Sequence, residues 1–123
     1  MSAAPPPLPP PRPPRGGGLY LHLPFCASIC PYCHFARTAV HDAAARHRLS
    51  AAIAGEFALR RERCAALGGG RVELRSVYVG GGTPSLLEPE LLVGLLAETA
   101  GRLPAAPGLE VTAEANPDSF TPA

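Results

Sequence analysis

Apolar and polar residues alternate over three short stretches of the chain. The first covers residues 19–23 and ends at Pro24, the second runs over about residues 73–79, and the third over about residues 109–115 before Asn116. Alternation with a period of two is typical of a β-strand with one buried face, and proline cannot continue the hydrogen-bonded ladder. The sequence therefore predicts three strands.

Two stretches between these strands have helical periodicity. Over residues 42–67 the chain is rich in Ala, Leu, Arg and Glu, and Leu49, Ile53 and Phe57 are spaced by four, which predicts one apolar stripe on a helix that ends at glycines 68–70. The remaining surface of this helix, with its arginines and with His41 and His47, is predicted to be a solvated face. Cys64 is predicted to be a small buried residue.

A second helix is predicted to begin at Ser85 or at Glu88, which precedes Pro89, and to end before Pro104. Its buried face would consist of Leu91, Leu92, Leu95, Leu96 and Leu103. The order strand, helix, strand, helix, strand predicts an α/β fold with parallel strands joined by right-handed crossovers.

The residues with unusual chemistry follow the predicted strands. Three cysteines come after the first strand, three glycines after the second, and Glu114 lies near the end of the third. The carboxyl ends of parallel strands meet at one edge of a sheet, where ligands bind in α/β proteins. One shared site at this edge is therefore predicted.

Composition narrows the folded region and the function classes. Of the 123 residues, 13 are Gly and 16 are Pro, and eight prolines lie between Pro5 and Pro14, so residues 1–18 are predicted to be a disordered Pro/Gly-rich tail and residues 19–123 the folded domain. The net charge of +1 argues against a nucleic-acid partner. No apolar run is long enough for a transmembrane segment and no secretory signal is present, which predicts a cytoplasmic protein.

Cys26, Cys30 and Cys33 stand in the string C-A-S-I-C-P-Y-C. Three thiolates on so short a loop can reach one metal centre, either an iron–sulfur cluster or zinc. On a four-iron cluster, three protein ligands would leave one iron open. Three alternatives remain: a Cys₃His zinc site completed by His34 or His22, covalent haem attachment through C-P-Y-C-H, and unrelated buried or redox cysteines.

The string Y-L-H-L-P-F-C that ends at Cys26, the C-x-x-x-C-x-x-C spacing, G-G-G-T-P and E-A-N-P together resemble the signature of radical S-adenosylmethionine (SAM) proteins. Within that family they resemble the oxygen-independent coproporphyrinogen oxidase group, which includes the HemW-type haem chaperones. The resemblance covers residues 19–116. It implies a partial TIM-type barrel of six βα units, of which this chain would supply a truncated N-terminal β-α-β-α-β portion that is unstable or inactive alone.

The resemblance also implies the cofactors and their ligands. Cys26, Cys30 and Cys33 would hold a [4Fe-4S] cluster whose open iron binds SAM, and one electron would then cleave SAM to methionine and a deoxyadenosyl radical. The residues implied to contact SAM are Tyr20, Tyr32, Gly81, Gly82, Thr83 and Glu114. From the pattern alone, the glycines could serve only strand-to-helix packing, and Glu114 could face solvent in step with Glu110.

Two details favour the chaperone branch of the group. Phe35 stands where the dehydrogenases typically carry a further cysteine, and the E-A-N-P form at Glu114 is similar to the chaperones. The predicted function is therefore delivery of haem to a haem-accepting protein, with SAM and haem or a porphyrin as ligands. The alternatives are an oxygen-independent coproporphyrinogen III dehydrogenase and a non-enzymatic zinc-binding module. His34 replaces the aspartate usual in the group, and its role is open.

Overall fold

The computed structural model describes residues 16–67 and 72–119. Three strands, β1 (Gly17–Leu23), β2 (Leu74–Gly81) and β3 (Ala105–Ala113), form a parallel sheet in the order β1-β2-β3. Two helices, α1 (Ala43–Ala66) and α2 (Pro89–Glu98), connect them, with short 3₁₀ turns at Pro84–Leu86, Ala100–Arg102 and Pro117–Ser119. The predicted α/β class and the parallel strand arrangement are confirmed.

The two faces of the sheet differ in chemistry because the strands are in register. Leu21 pairs with Val79, and these side chains lie on the face that packs against both helices. The buried core consists of Leu21, Leu23, Phe25, Leu74, Val77, Val79, Leu87 and Leu95. On the opposite face Tyr20 pairs with Tyr78 and His22 with Gly80. The sheet therefore has one apolar face, which packs against the helices, and one polar, aromatic face.

The first helix is close to its predicted position. The side chain of Asp42 caps it by accepting a hydrogen bond of 2.7 Å from the Ala45 amide. The glycines predicted to end it, residues 68–70, lie outside the described residues. The prediction that Cys64 is buried is wrong, because residues 58–66 are all exposed. At 24 residues α1 is longer than the strands on which it packs, and none of its residues after Ala54 packs against the buried core.

The second helix ends earlier than predicted. It stops at Glu98, and a 3₁₀ turn precedes Leu103, which still packs against the core. The reason lies at Thr99, which is fully buried and whose hydroxyl donates a 2.7 Å hydrogen bond to the Leu95 carbonyl. A threonine bonded back to the preceding turn weakens the helix at that position.

Two strand boundaries also differ from the prediction. β1 begins at Gly17, whose amide donates to the Glu73 carbonyl at 2.9 Å, so the last two residues assigned to the disordered tail lie in the sheet. β3 begins at Ala105 instead of residue 109 and passes through Pro107. The register shifts there, with Gly108 at φ 77°, and such a bulge accommodates a proline that has no amide to donate.

The described residues form no helix that is both long enough and apolar enough to cross a membrane.

Candidate functional site

The three cysteines lie in the cysteine loop, residues 26–37. Backbone hydrogen bonds join the two ends of this loop. The Cys26 amide donates to the Thr38 carbonyl at 2.9 Å, and the Thr38 amide donates to the Pro24 carbonyl at 2.8 Å. Within the loop, a 3.0 Å hydrogen bond from the Cys33 amide to the Cys30 carbonyl forms a turn. The loop therefore begins and ends at one point of the sheet edge.

Residues 80–83, the glycine turn, are hydrogen-bonded to the residues that directly precede the cysteine loop. The Gly82 amide donates to the Leu23 carbonyl and the Thr83 amide to the Phe25 carbonyl, both at 2.7 Å. A Cβ atom at Gly82 would lie 2.5 Å from the Phe25 carbonyl oxygen and 2.9 Å from Cys26 Sγ. Only glycine permits this approach, so packing by itself already requires Gly82.

A second position in the glycine turn has its own steric requirement. Gly81 has φ 120°, a conformation that side chains rarely adopt, and a Cβ there would lie 2.7 Å from the His22 ring. Close packing and backbone conformation therefore explain by themselves why glycine occupies both positions. The two glycines also leave the backbone uncovered by side chains at the edge where the cysteines lie, and a ligand that approaches the backbone closely needs the same arrangement.

The Glu114 carboxylate is bound at the same edge, immediately after β3. Oε1 accepts a 2.8 Å hydrogen bond from the Tyr78 hydroxyl, and Oε2 accepts a 3.0 Å hydrogen bond from the Gly81 amide. The hydrogen bond to Glu114 raises the pKa of Tyr78 above its ordinary value. Glu114 is therefore held by hydrogen bonds from two neighbouring residues, although its side chain remains exposed.

These elements enclose one cleft of about 460 Å³. Eight of the nine residues predicted to form the site line it: Cys26, Cys30, Tyr32, Cys33, Gly81, Gly82, Thr83 and Glu114. Arg37 and Asn116 also contribute to its walls. The three strand ends thus converge on a single cavity, as the order of elements predicts.

Tyr20 is the predicted site residue that does not line this cleft. Its hydroxyl donates to His22 Nδ1 at 2.9 Å, and its ring lies 6.1 Å from that of Tyr78. Tyr20 therefore lies on the polar face of the sheet, beside the cleft. Tyr32 lines the cleft but is 80% exposed, and a hydrogen bond with the Cys30 side chain raises the pKa of its hydroxyl.

The two histidines considered as zinc ligands differ in their surroundings. His22 uses both ring nitrogens, since Nε2 donates to the Ala36 carbonyl at 2.7 Å while Nδ1 accepts from Tyr20. His34 is exposed and does not line the cleft. Among the residues in the described ranges, no three His, Cys, Asp or Glu side chains converge as ligands of one metal ion.

A polar network lies behind the cysteine loop. It includes His41 and Arg46, for which the sequence predicts a solvated face. That prediction is wrong for both. His41 Nε2 lies 3.1 Å from the Cys26 carbonyl oxygen, and Arg46 Nη1 lies 2.9 Å from His41 Nδ1. Arg46 is held in turn by the Glu88 carboxylate, with contacts of 2.6 to 3.1 Å. The side chain of Arg46 is only 18% exposed.

No local pattern in the sequence indicates this network. Glu88 precedes Pro89 at the start of α2, and Arg46 lies in the first turn of α1. The two residues are 42 positions apart, so no local spacing reveals their contact. The ion pair with Arg46 lowers the pKa of Glu88 from 4.5 to about 2.

Comparison with known proteins finds relatives with several activities, although no protein-family model matches. The chain is 38% identical over 104 residues to Heme chaperone HemW of Escherichia coli (strain K12), covering 80% of this chain and 25% of that protein. It is 34% identical over 101 residues to Anaerobilin synthase of Escherichia coli O157:H7, covering 82% and 22%. It is 31% identical over 105 residues to Oxygen-independent coproporphyrinogen III oxidase of Bradyrhizobium diazoefficiens, covering 84% and 22%.

Among solved structures, the fold matches coproporphyrinogen III oxidase (HemN) from Escherichia coli, described as a radical SAM enzyme. The TM-score is 0.75 over 89% of this chain and 24% of that one, with 22% sequence identity. Together, the similarities in sequence and fold support a relationship of this chain to the HemN-like group of radical SAM proteins. The chain spans about a quarter of the length of these relatives.

The depressed pKa of Glu88 predicts how the network responds to acid. A carboxylate with a lower pKa in the folded than in the unfolded chain stabilises the fold above the unfolded value of 4.5, and this contribution is lost as the pH falls towards 2. In urea unfolding, Glu88→Gln should therefore be less stable than the unchanged chain at pH 6, with the difference closing near pH 2. Glu56→Gln, which removes an exposed ion pair with Arg60, should have little effect at either pH. A Glu88→Gln difference that is the same at both pH values would contradict the assignment.

Proposed function

We propose that this chain forms the cluster-binding and SAM-binding part of a radical SAM protein that acts as a haem chaperone. The observation that carries the proposal is the single cleft in which three cysteines, the glycine turn and Glu114 meet. All three cysteines are free thiols, and no other residue type in the cleft supplies soft ligands. Thiolates are the ligands that iron–sulfur clusters use.

The residues fit a [4Fe-4S] cluster held by Cys26, Cys30 and Cys33. A cluster binds each thiolate through a different iron, so its ligands need not converge on one point as the ligands of a single ion do. When bound, the cluster would supply an electron and an open iron for SAM. The protein's own contribution is to position SAM and to exclude water from the cleft.

Two features of the cleft wall fit a bound molecule with amino, hydroxyl and carboxylate groups. Each Glu114 oxygen accepts one hydrogen bond and has a second lone pair available for a donor of the ligand. Arg37 Nε is buried without a hydrogen-bond partner, while Nη1 donates to the Phe35 carbonyl at 3.0 Å. Because arginine donors pair well with carboxylates, a carboxylate-bearing ligand would suit this wall.

The choice of haem chaperone over dehydrogenase is supported by sequence. Identity is 38% to Heme chaperone HemW and 31% to the coproporphyrinogen III oxidase. Phe35, at the position where the dehydrogenases typically carry a further cysteine, lines the cleft and offers no thiolate. We therefore propose haem as a ligand and a haem-accepting protein as the partner, with coproporphyrinogen III dehydrogenation as the second candidate. A Cys₃His zinc module remains the candidate of another class.

Replacement of one cluster cysteine tests the ligand set. After anaerobic reconstitution with iron and sulfide, the unchanged chain should hold about four irons and give the EPR signal of a reduced [4Fe-4S] cluster. Cys30→Ala should abolish both, whereas Cys64→Ala, which removes an exposed thiol on α1, should change neither. One zinc per chain with no iron–sulfur signal would favour the zinc module. Full iron content in Cys30→Ala would show that the ligand assignment is wrong.

Glu114 and Glu110 provide a matched test of the SAM site. Glu110 lies on β3 and Glu114 directly follows that strand, but of the two only Glu114 lines the cleft. Hydrogen bonds to a charged group contribute about 1.5–3 kcal/mol, so Glu114→Gln should weaken SAM binding roughly tenfold or more in isothermal titration of the reconstituted chain. Glu110→Gln should leave the Kd unchanged. Equal affinity in both variants would indicate that Glu114 only orders the glycine turn.

Haem transfer separates the two tetrapyrrole functions. A protein containing this chain should bind haem, seen as a shifted absorption band, and pass it to a haem-free acceptor protein. It should leave coproporphyrinogen III unchanged under anaerobic conditions with SAM and a reductant. SAM-dependent loss of carboxyl groups from coproporphyrinogen III would overturn the chaperone assignment in favour of the dehydrogenase.

A further inference from the structure

The backbone of the first cluster cysteine is held by a side chain from outside the cysteine loop. The Cys26 carbonyl oxygen lies 3.1 Å from His41 Nε2, and the His41 ring packs against Phe25 with 4.9 Å between centroids. His41 is partly buried and lies one residue before the cap of α1. This contact joins the cysteine loop to the start of the first helix.

Arg46 determines which nitrogen of His41 carries the proton. A guanidinium has only donors and stays protonated in proteins, so His41 Nδ1, 2.9 Å from Arg46 Nη1, must act as an acceptor. In the neutral ring the proton is then on Nε2, and Nε2 donates it to the Cys26 carbonyl. The direction of the hydrogen bond to the cysteine thus follows from the arginine behind the ring.

Arg46 is itself fixed by a two-pronged ion pair. Its Nε and Nη2 atoms both contact the Glu88 carboxylate, with the shortest contact at 2.6 Å. Planar pairing of this kind restricts orientation as well as adding energy. Since Glu88 is the cap residue of α2, the series Glu88, Arg46, His41 and Cys26 connects both helices to the loop.

We propose that His41 is a positioning residue for the cluster, holding Cys26 through its carbonyl and placing an N–H donor beside the first ligand. This inference rests on the proposed function, because it assumes that Cys26 binds a cluster. Hydrogen bonds and charge close to cluster ligands raise the reduction potential, since they stabilise the more negative, reduced form. If His41 had a purely structural role, its replacement would lower the stability of the fold without lowering the reduction potential of the cluster.

Two substitutions of His41 separate its two hydrogen bonds. Gln places an amide N–H near the position of Nε2 and keeps the donor to Cys26, whereas Asn places its oxygen near Nδ1 and keeps the contact with Arg46 but does not reach Cys26. We expect His41→Gln to retain the cluster with a near-normal potential. His41→Asn should lose iron to a chelator at least several times faster and have a more negative potential. Arg60→Ala, an exposed change on α1, serves as the control.

A measurement without the cluster tests the positioning by itself. In the metal-free chain, amide hydrogen exchange over residues 24–38 should be several times faster in His41→Asn than in His41→Gln or the control. Equal exchange and equal potentials in the Asn and Gln variants would overturn the proposal. If the unchanged chain binds no iron but the exchange difference is present, the proposed function fails while the positioning of Cys26 by His41 stands.

Discussion

Two backbone hydrogen bonds hold together the parts of the site that come from different strands. They run from Gly82 and Thr83 to the carbonyls of Leu23 and Phe25, and both are 2.7 Å long. They exist because the glycine turn approaches the cysteine loop more closely than any side chain would allow. The position of the cysteines relative to the rest of the cleft therefore depends on the absence of a Cβ at Gly82.

Contacts from the sheet and from the helices together hold the backbone around Cys26. On the side of the sheet, the glycine turn fixes the residues just before the cysteine loop, and its Gly81 amide donates a hydrogen bond to Glu114. On the side of the helices, His41 fixes the Cys26 carbonyl with support from Arg46. Residues 27–36 follow these attachments in the chain and are largely exposed.

The sequence allowed the fold and the location of the site to be predicted because both depend on short-range patterns. Alternating apolar residues locate the strands, and parallel order brings the residues that follow each strand to one edge. The His41–Arg46 contact could not be predicted, since polar residues at a helix start are typical of a solvated face and the Glu88 partner is distant in sequence. Cys64 was misplaced for a related reason: periodicity gives the face of a helix but not the point at which the sheet beneath it ends.

The chain is similar to proteins whose names indicate different activities. A haem chaperone, Anaerobilin synthase and a coproporphyrinogen III oxidase all match over at least 80% of this chain. A match over this region therefore does not by itself select one tetrapyrrole chemistry. Within this chain, His34 and Phe35 directly follow Cys33. Phe35 lines the cleft and His34 is exposed beside it, so Phe35 is the position at which a change of side chain would act on a bound molecule directly.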